Sequence, residues 1–377
     1  MDQILRLFSD YTFQVVAIGS VSLGVLSGLT GTFAVLRKQS LIGDSIAHSS
    51  LAGIAIAFML TQTKNTEVLL LGALIIGLIS TYITSFIAKN SRVNFESSMA
   101  LVMASFFGLG LMLLTEIQKT PNSNQAGLNR FLFGQAATIL ERDVSLILII
   151  TAVVALATAL FWKELKFFTF DPISAQIQGF NSKILNTLLS AFVVVSVVMG
   201  IQMVGVVLMS ALLIAPAVAA RQWTHSLLGM TLLSSLLGGI SGLSGTIISS
   251  TVSQFPTGPG IVLVASVIVI LSLLFAPQRG ILARKITQSN VRKSHYDDIL
   301  LLHLIENNKL VKDESYSKDV LVDIVKTDDH KMGSKSVDAW IHSLMNRSFL
   351  ELTSDSLYSL TDSAYENLYL NGKGETL

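Results

Sequence analysis

Between Phe13 and Phe275 the chain keeps returning to uninterrupted apolar runs, each ending in a short polar or basic break. A helix needs about 20 apolar residues to cross the hydrocarbon core, and only helices or closed barrels satisfy their own backbone there. The runs extend from about Phe13 to Leu36, Asp44 to Leu60, Val68 to Ala88, Met99 to Leu114, Asp143 to Trp162, Ile184 to Ala220, Leu227 to Ser249 and Gly260 to Phe275. The Ile184–Ala220 stretch has room for two short spans broken near Gly200 to Gly205. Eight or nine transmembrane helices follow. A mean hydropathy of +0.62 over 377 residues fits no soluble protein of this length.

Basic residues stand after the first, third, fifth and last runs and at Arg221. Lys and Arg bias a loop toward the cytoplasm, which places the N-terminus outside and the C-terminus inside. Opposite sides need an odd count and favour nine spans. The opening MDQILRLFSDY lacks the basic region and cleavage site of a signal peptide, so the first run is expected to stay as a span. The chain has no cysteine, which rules out disulfides and thiolate metal ligands. Glycines at near-helical spacing, Gly24, Gly28 and Gly31 early and Gly238, Gly242 and Gly245 late, predict close helix packing.

The final part is different material. From Val291 onward there are 10 basic and 15 acidic residues, which leaves about +6 on the rest of the chain. Helical periodicity over Asp297–Glu306, Val320–Lys326 and Ser336–Met345 is followed by hairpin-like alternation over Phe349–Leu360 and a closing helix over Thr361–Leu368. The expectation is a small α+β winged-helix-like soluble domain over 286–377, behind an all-α polytopic membrane domain over 1–285. Its acidic balance argues against nucleic acid as a partner.

Two polar motifs interrupt the apolar pattern. Asp44 and His48, within Gly43-Asp44-Ser45-Ile46-Ala47-His48, are four residues apart and share one helix face. A carboxylate and an imidazole there make half of a metal site, and ionisable groups inside a span normally face a path or a partner. The competing reading is Asp44 as a helix N-cap. The second motif is Phe170-Asp171-Pro172-Ile173-Ser174-Ala175-Gln176-Ile177-Gln178-Gly179. Asp then Pro starts a helix and Gly stops one, so two turns are predicted between two spans, either docking on a cytosolic partner or holding a loop at the interface.

LRKQSLIGDSIAHSSLAGIAIAF, LNRFLFGQAATIL, FDPISAQIQGF and MVGVVLMSALLIAPAVAA occur in that order. Together they resemble the membrane permease subunit of manganese/zinc/iron ABC importers, a type II importer-like fold, over Val15 to about Phe275. The resemblance implies a two-fold permease dimer with a second copy or a paralogue. It also implies a separate cytosolic ABC ATPase and an extracytoplasmic metal-binding lipoprotein as partners. Matched residue by residue, it gives Asp44 and His48 to the translocation path, and Phe170, Asp171, Pro172, Ala175 and Gly179 to a coupling helix on the ATPase. No permanently bound cofactor is implied, only the transported divalent ion, manganese first because FLFGQAATIL resembles the manganese-type members, with zinc or iron as alternatives. Relatives carry an acidic pair after the third span, where this chain has Glu96 followed by Ser97.

The chain lacks G-x-x-x-x-G-K-[ST], so it is not expected to be an enzyme. An ion-coupled secondary transporter or channel and a membrane-tethered metal-responsive regulator are the other classes open to it. Remaining candidates are the outer acids Glu116, Glu141 and Asp143, the interfacial His225, and a regulatory metal site in the tail drawn from His295, His303, His330 and His342 with Asp297, Asp298, Asp328 and Asp329. Solvated charges are the plainer reading of these.

Overall fold

Several of the long helices begin where a short polar side chain closes the first turn. Asp10 accepts from the backbone of Thr12 at 2.8 Å, Asn65 from Glu67 at 3.1 Å, Asn181 from Lys183 at 3.1 Å and Ser226 from Gly229 at 3.1 Å. These contacts satisfy backbone donors that a helix start leaves open. The computed structural model describes residues 9–63, 65–119, 134, 136, 139–252, 254–277, 280–307, 309–311, 314–328, 334–353, 357–362 and 364.

The helices are α1 (Tyr11–Leu36), α2 (Ile42–Thr61), α3 (Thr66–Asn90), α4 (Phe95–Lys119), α5 (Glu141–Leu160), α6 (Trp162–Phe170), α7 (Pro172–Ile177), α8 (Ser182–Val204), α9 (Val206–Trp223), α10 (Leu227–Thr251) and α11 (Thr257–Phe275). All but α6 and α7 are long and apolar enough to span a membrane, nine among the described residues. The Ile184–Ala220 stretch is thus two spans. Gly205, at φ 92°, separates α8 from α9, a backbone conformation that glycine adopts without steric cost. Sequence reading ran the fifth span to Trp162. It ends at Leu160, and Trp162 opens the separate α6.

Glycine brings backbones together at several crossings, of which two illustrate the geometry. A Cβ on Gly24 of α1 would stand 2.1 Å from the carbonyl oxygen of Gly238 on α10, and one on Gly53 of α2 would stand 2.2 Å from that of Gly72 on α3. Ser234 Oγ of α10 donates to the Gly28 carbonyl at 2.7 Å and Thr246 Oγ1 bonds Ser20 Oγ at 3.1 Å, so polar bonds also cross the first seam. With lipid tails as apolar as leucine, such close packing and internal bonding drive association in place of the hydrophobic effect.

The chain divides into two units, Met1–Ile281 and Leu282–Leu377. The second comprises most of α12 (Ile281–Glu306), then β1 (Ser315–Tyr316), α13 (Lys318–Asp328), α14 (Ser334–Asn346), β2 (Leu350–Leu352) and β3 (Tyr358–Leu360). Its antiparallel sheet has the order β1-β3-β2. Leu301, Leu304, Leu321, Val325, Trp340 and Leu344 fill its core. The expected closing helix over Thr361–Leu368 lies largely outside the described residues.

A half-built ligand pair and a capped two-turn helix

Asp44 is the third residue of α2, and the N-cap position belongs to Leu41. Its Oδ1 lies 3.4 Å from Nε2 of His48, one turn further on. A cation bonded to both atoms at about 2.0–2.2 Å would hold them roughly 3 Å apart, close to what is seen. The side chains are 35% and 21% exposed, half open to whatever lies beyond them. Ser210 of α9 lies beside the Asp44 carboxylate. Phe107 of α4 meets the His48 ring edge-on, with centroids 4.7 Å apart. The other imidazole nitrogen, Nδ1, is buried with no hydrogen-bond partner.

The start of α2 sits tightly on α9 because position 43 carries no side chain. A Cβ on Gly43 would stand 2.7 Å from Leu213 Cδ2. Beside the pair, α9 presents a stripe of half-buried or exposed small and apolar side chains, Val207, Ala211, Ile214 and Val218. No group of three or more His, Cys, Asp or Glu is assembled among the described residues, so one chain offers a cation two donors at this place. Ser210 and Phe107 carry no signal in the sequence. They reach the pair from helices far along the chain.

The second motif forms the helix that Asp and Pro predict. Asp171 Oδ1 accepts from the backbone of Ile173 and Ser174, each at 3.0 Å. Ser174 Oγ donates to Oδ2 at 2.6 Å, and this bond first of all holds the Asp171 carboxyl below the usual carboxylate range. Pro172 takes the first helical position, where no N–H is needed. Gly179 at φ 86° ends the turn and has open space around it, so backbone freedom rather than room is what it supplies. Ala175 is fully buried, while Phe170, Ile173 and Ile177 are 60%, 71% and 81% exposed. Ile173 and Ile177, four apart on α7, make an apolar ridge that the sequence motif leaves unmarked.

Behind this helix, Phe167 of α6 stacks on Phe180 with centroids 6.3 Å apart. Ala175 shares a buried cluster with Phe168, Leu165 and Phe33 of α1. Arg37, just past α1, donates to Asn186 of α8 at 2.6 Å and lies 5.0 Å over the Phe168 ring. Of the LNRFLFGQAATIL motif, only Gly134, Ala136, Ile139 and Leu140 are described. A Cβ on Gly134 would stand 2.4 Å from the carbonyl carbon of Val204, so this residue presses on the α8–α9 break.

The sequence profile of the ABC 3 transport family matches residues 9–276. The chain belongs to the ABC 3 transport family. Among its relatives is the zinc transport system membrane protein TroC of Treponema pallidum (strain Nichols), 51% identical over 282 residues, which cover 75% of this chain and 95% of the relative. Another is the manganese transport system membrane protein MntC of Bacillus subtilis (strain 168), 41% identical over 309 residues, which cover 81% of this chain and 71% of the relative. The fold is similar to a chain of PsaBC from Streptococcus pneumoniae in complex with Fab, with TM-score 0.66, 28% identity, and coverage of 75% of this chain and 98% of that one. This ABC 3 member is a metal ABC-transporter permease and a multi-pass cell-membrane protein. It is not itself an enzyme, and ATP hydrolysis falls to a separate subunit. The carrier, channel and tethered-regulator readings are set aside by that membership.

Several of the other candidates are engaged structurally. Glu116 pairs with Lys119 at 3.0 Å, and Glu141 accepts from Tyr11 Oη at 2.7 Å. Asp143 is buried and accepts from Gln202 at 2.8 Å. Glu96 is exposed in the first turn of α4. In the second unit, Asp297 accepts from Ser343 Oγ at 2.8 Å, and Asp298 receives both Arg347 nitrogens at 2.6 and 2.9 Å. His303 bonds the Asn307 side chain. His330 and Asp329 lie outside the described residues.

Proposed function

We propose that this permease passes a divalent transition metal between Asp44 and His48 of two copies meeting on a two-fold axis. The observation that carries the reading is the pair itself: two N/O donors 3.4 Å apart, partly open, with no third His, Cys, Asp or Glu gathered beside them among the described residues to turn a transit point into a trap. Two copies supply two carboxylates and two imidazoles. That donor set without sulfur suits manganese, zinc and iron alike, and affinity alone favours zinc over manganese. Manganese, our first assignment, then depends on selective delivery by an extracytoplasmic metal-binding lipoprotein or on a coordination shell larger than four. The names of the relatives include both metals. Weak, few-ligand binding favours release, which transport requires.

Helix α7 is the proposed contact with the cytosolic ABC ATPase. Its Asp171 cap, Pro172 start and Gly179 stop fix a short rigid element, Ala175 roots it in the bundle, and Phe170, Ile173 and Ile177 form the face offered to the ATPase. The N-terminus lies outside and the C-terminal unit in the cytosol, as basic-loop placement directs. Residues 286–377 are a winged-helix-like soluble extension whose helix, strand, two helices and hairpin follow one another in the order that such a domain uses.

The test is metal uptake by cells carrying Asp44→Ala or His48→Ala, with membrane abundance and ATPase co-purification measured alongside. Lost uptake with intact assembly is expected. Full uptake in both variants would refute the path. Substitution of Asp171 or Gly179 is expected to weaken ATPase association while metal binding persists.

A further inference from the structure

Between the last turns of α3 and the first turns of α8 runs an open groove of about 410 Å³, lined by Leu78, Tyr82, Phe86 and Lys89 on one side and by Lys183 and Thr187 among others on the second. That volume falls in the range of small-molecule sites, about 300–1,000 Å³. On α3 the lining residues recur three or four apart, so they form one stripe down the helix. Tyr82 and Phe86 stack with centroids 6.5 Å apart and are 71% and 56% exposed.

The groove changes character along its length. Along α3 its surface is set by Leu78, Tyr82 and Phe86, with small neutral polar side chains such as Ser85, Thr187 and Ser190 beside and across from them, and its outer end carries two ammonium groups, with no carboxylate among its lining residues. Neither lysine forms an ion pair among the described residues. A third cation lies close behind: Arg37 is held by Asn186, itself part of the lining, and is not paired with an acid there. An apolar slot ending in unpaired positive charge at a membrane boundary is complementary to a molecule with an anionic head and a hydrocarbon tail.

The direction in which the groove faces decides between lipid and protein as occupant. Helix residues turn by about 100° each. Ile46, Ser50 and Gly53, against which α3 packs through Gly77 and Gly72, therefore point roughly opposite to Asp44 and His48. Helix α3 covers the side of α2 turned away from the ligand pair. If the second copy meets the pair, as proposed above, the groove looks out at the bilayer, in the leaflet on the side of Arg37, Lys38, Lys89 and Lys183.

We propose that this groove binds one anionic diacyl phospholipid per chain, its phosphate between Lys89 and Lys183 and an acyl chain over Phe86, Tyr82 and Leu78. By the basic-loop rule the lipid comes from the cytoplasmic leaflet. Bound there, it bridges α8, which follows α7 and the α7–α8 turn, to α3.

The experiment is native mass spectrometry of the full chain in detergent, given equal amounts of phosphatidylglycerol and phosphatidylcholine. One retained phosphatidylglycerol per chain is expected. Lys89→Gln with Lys183→Gln should weaken its retention roughly 30-fold, as loss of two surface lysine contacts implies, while the paired arginine variants keep it. Equal retention of phosphatidylcholine, an unchanged double glutamine variant, or displacement by excess inorganic phosphate would each overturn the site. Because the chain has no cysteine, Tyr82→Cys gives a unique thiol. Its labelling by a membrane-soluble maleimide is expected, and its crosslinking between copies would show a protein interface instead. Such crosslinking with Asp44-dependent uptake intact would defeat the lipid alone, whereas Asp44-independent uptake with phosphatidylglycerol retained would defeat the metal path alone.

Discussion

Arg37 and Asn186 close on one another at 2.6 Å, joining the turn before α2, which carries Asp44 and His48, to α8, which follows α7. Burial lowers the Arg37 pKa only to about 10, so the guanidinium stays charged at neutral pH. Arg37→Met keeps much of the bulk and removes the charged hydrogen bond, at an expected cost of about 1.5–3 kcal/mol. Thermal unfolding in detergent measures it. Arg37→Lys should recover part of the loss, since the ammonium cannot reproduce the planar contact with Phe168.

Ser210 reaches Asp44, the proposed metal ligand, from α9 and is placed to orient its carboxylate. Groups in that position typically change metal affinity by about 10–100-fold when removed. Ser210→Ala is expected to raise the metal concentration for half-maximal uptake within that range while leaving protein abundance unchanged. An unaltered concentration dependence would separate Ser210 from the path.

Asp171 offers a prediction with a definite sign. Its carboxyl is held below the ordinary value of about 3.9, so its cap is fully present above that pH and is lost as pH falls through the lowered folded value. Association with the ATPase should therefore show no Asp171-dependent step between about pH 5 and 8. Asp171→Ala should weaken association throughout that range, read by co-purification.

Gly24 and Gly108 make a matched pair of tests. A methyl at Gly24 strikes the Gly238 carbonyl, whereas one at Gly108 meets nothing within 4 Å. Gly24→Ala is expected to destabilise by about 1–3 kcal/mol or more. Gly108→Ala should be neutral or stabilise by up to about 1 kcal/mol through helix propensity. Melting temperatures of the two variants in one detergent compare them directly.

Trp340 is 1% exposed in the core of the second unit and donates from Nε1 to the Asp297 carbonyl at 3.3 Å. Trp340→Ala should cost that unit about 3–5 kcal/mol. Hydrogen exchange on the full chain should speed up over α13 and α14 and remain unchanged over α1 and α10.

Local signals carried much of this architecture into the sequence. Apolar length marks the spans, the four-residue spacing puts Asp44 and His48 on one face, and Asp171-Pro172 with Gly179 delimits α7 almost to the residue. What composition leaves unmarked depends on contacts between distant segments. Helix α6 has the charged, aromatic composition of a loop, yet packs Leu165 and Phe168 into a core shared with α1. Ser210 and Phe107 reach the ligand pair only after α9 and α4 dock. The N-cap alternative for Asp44 fails for a similar reason: the turn after α1 lets α2 begin at Ile42, two residues earlier.

Where α1 crosses α10, main chain presses on main chain, with no side chain between Gly24 and Gly238 to change rotamer. Two rods in such contact cannot slip past each other by small steps, so they move as one beam. Any change of shape in this unit must then be taken up away from the α1–α10 seam.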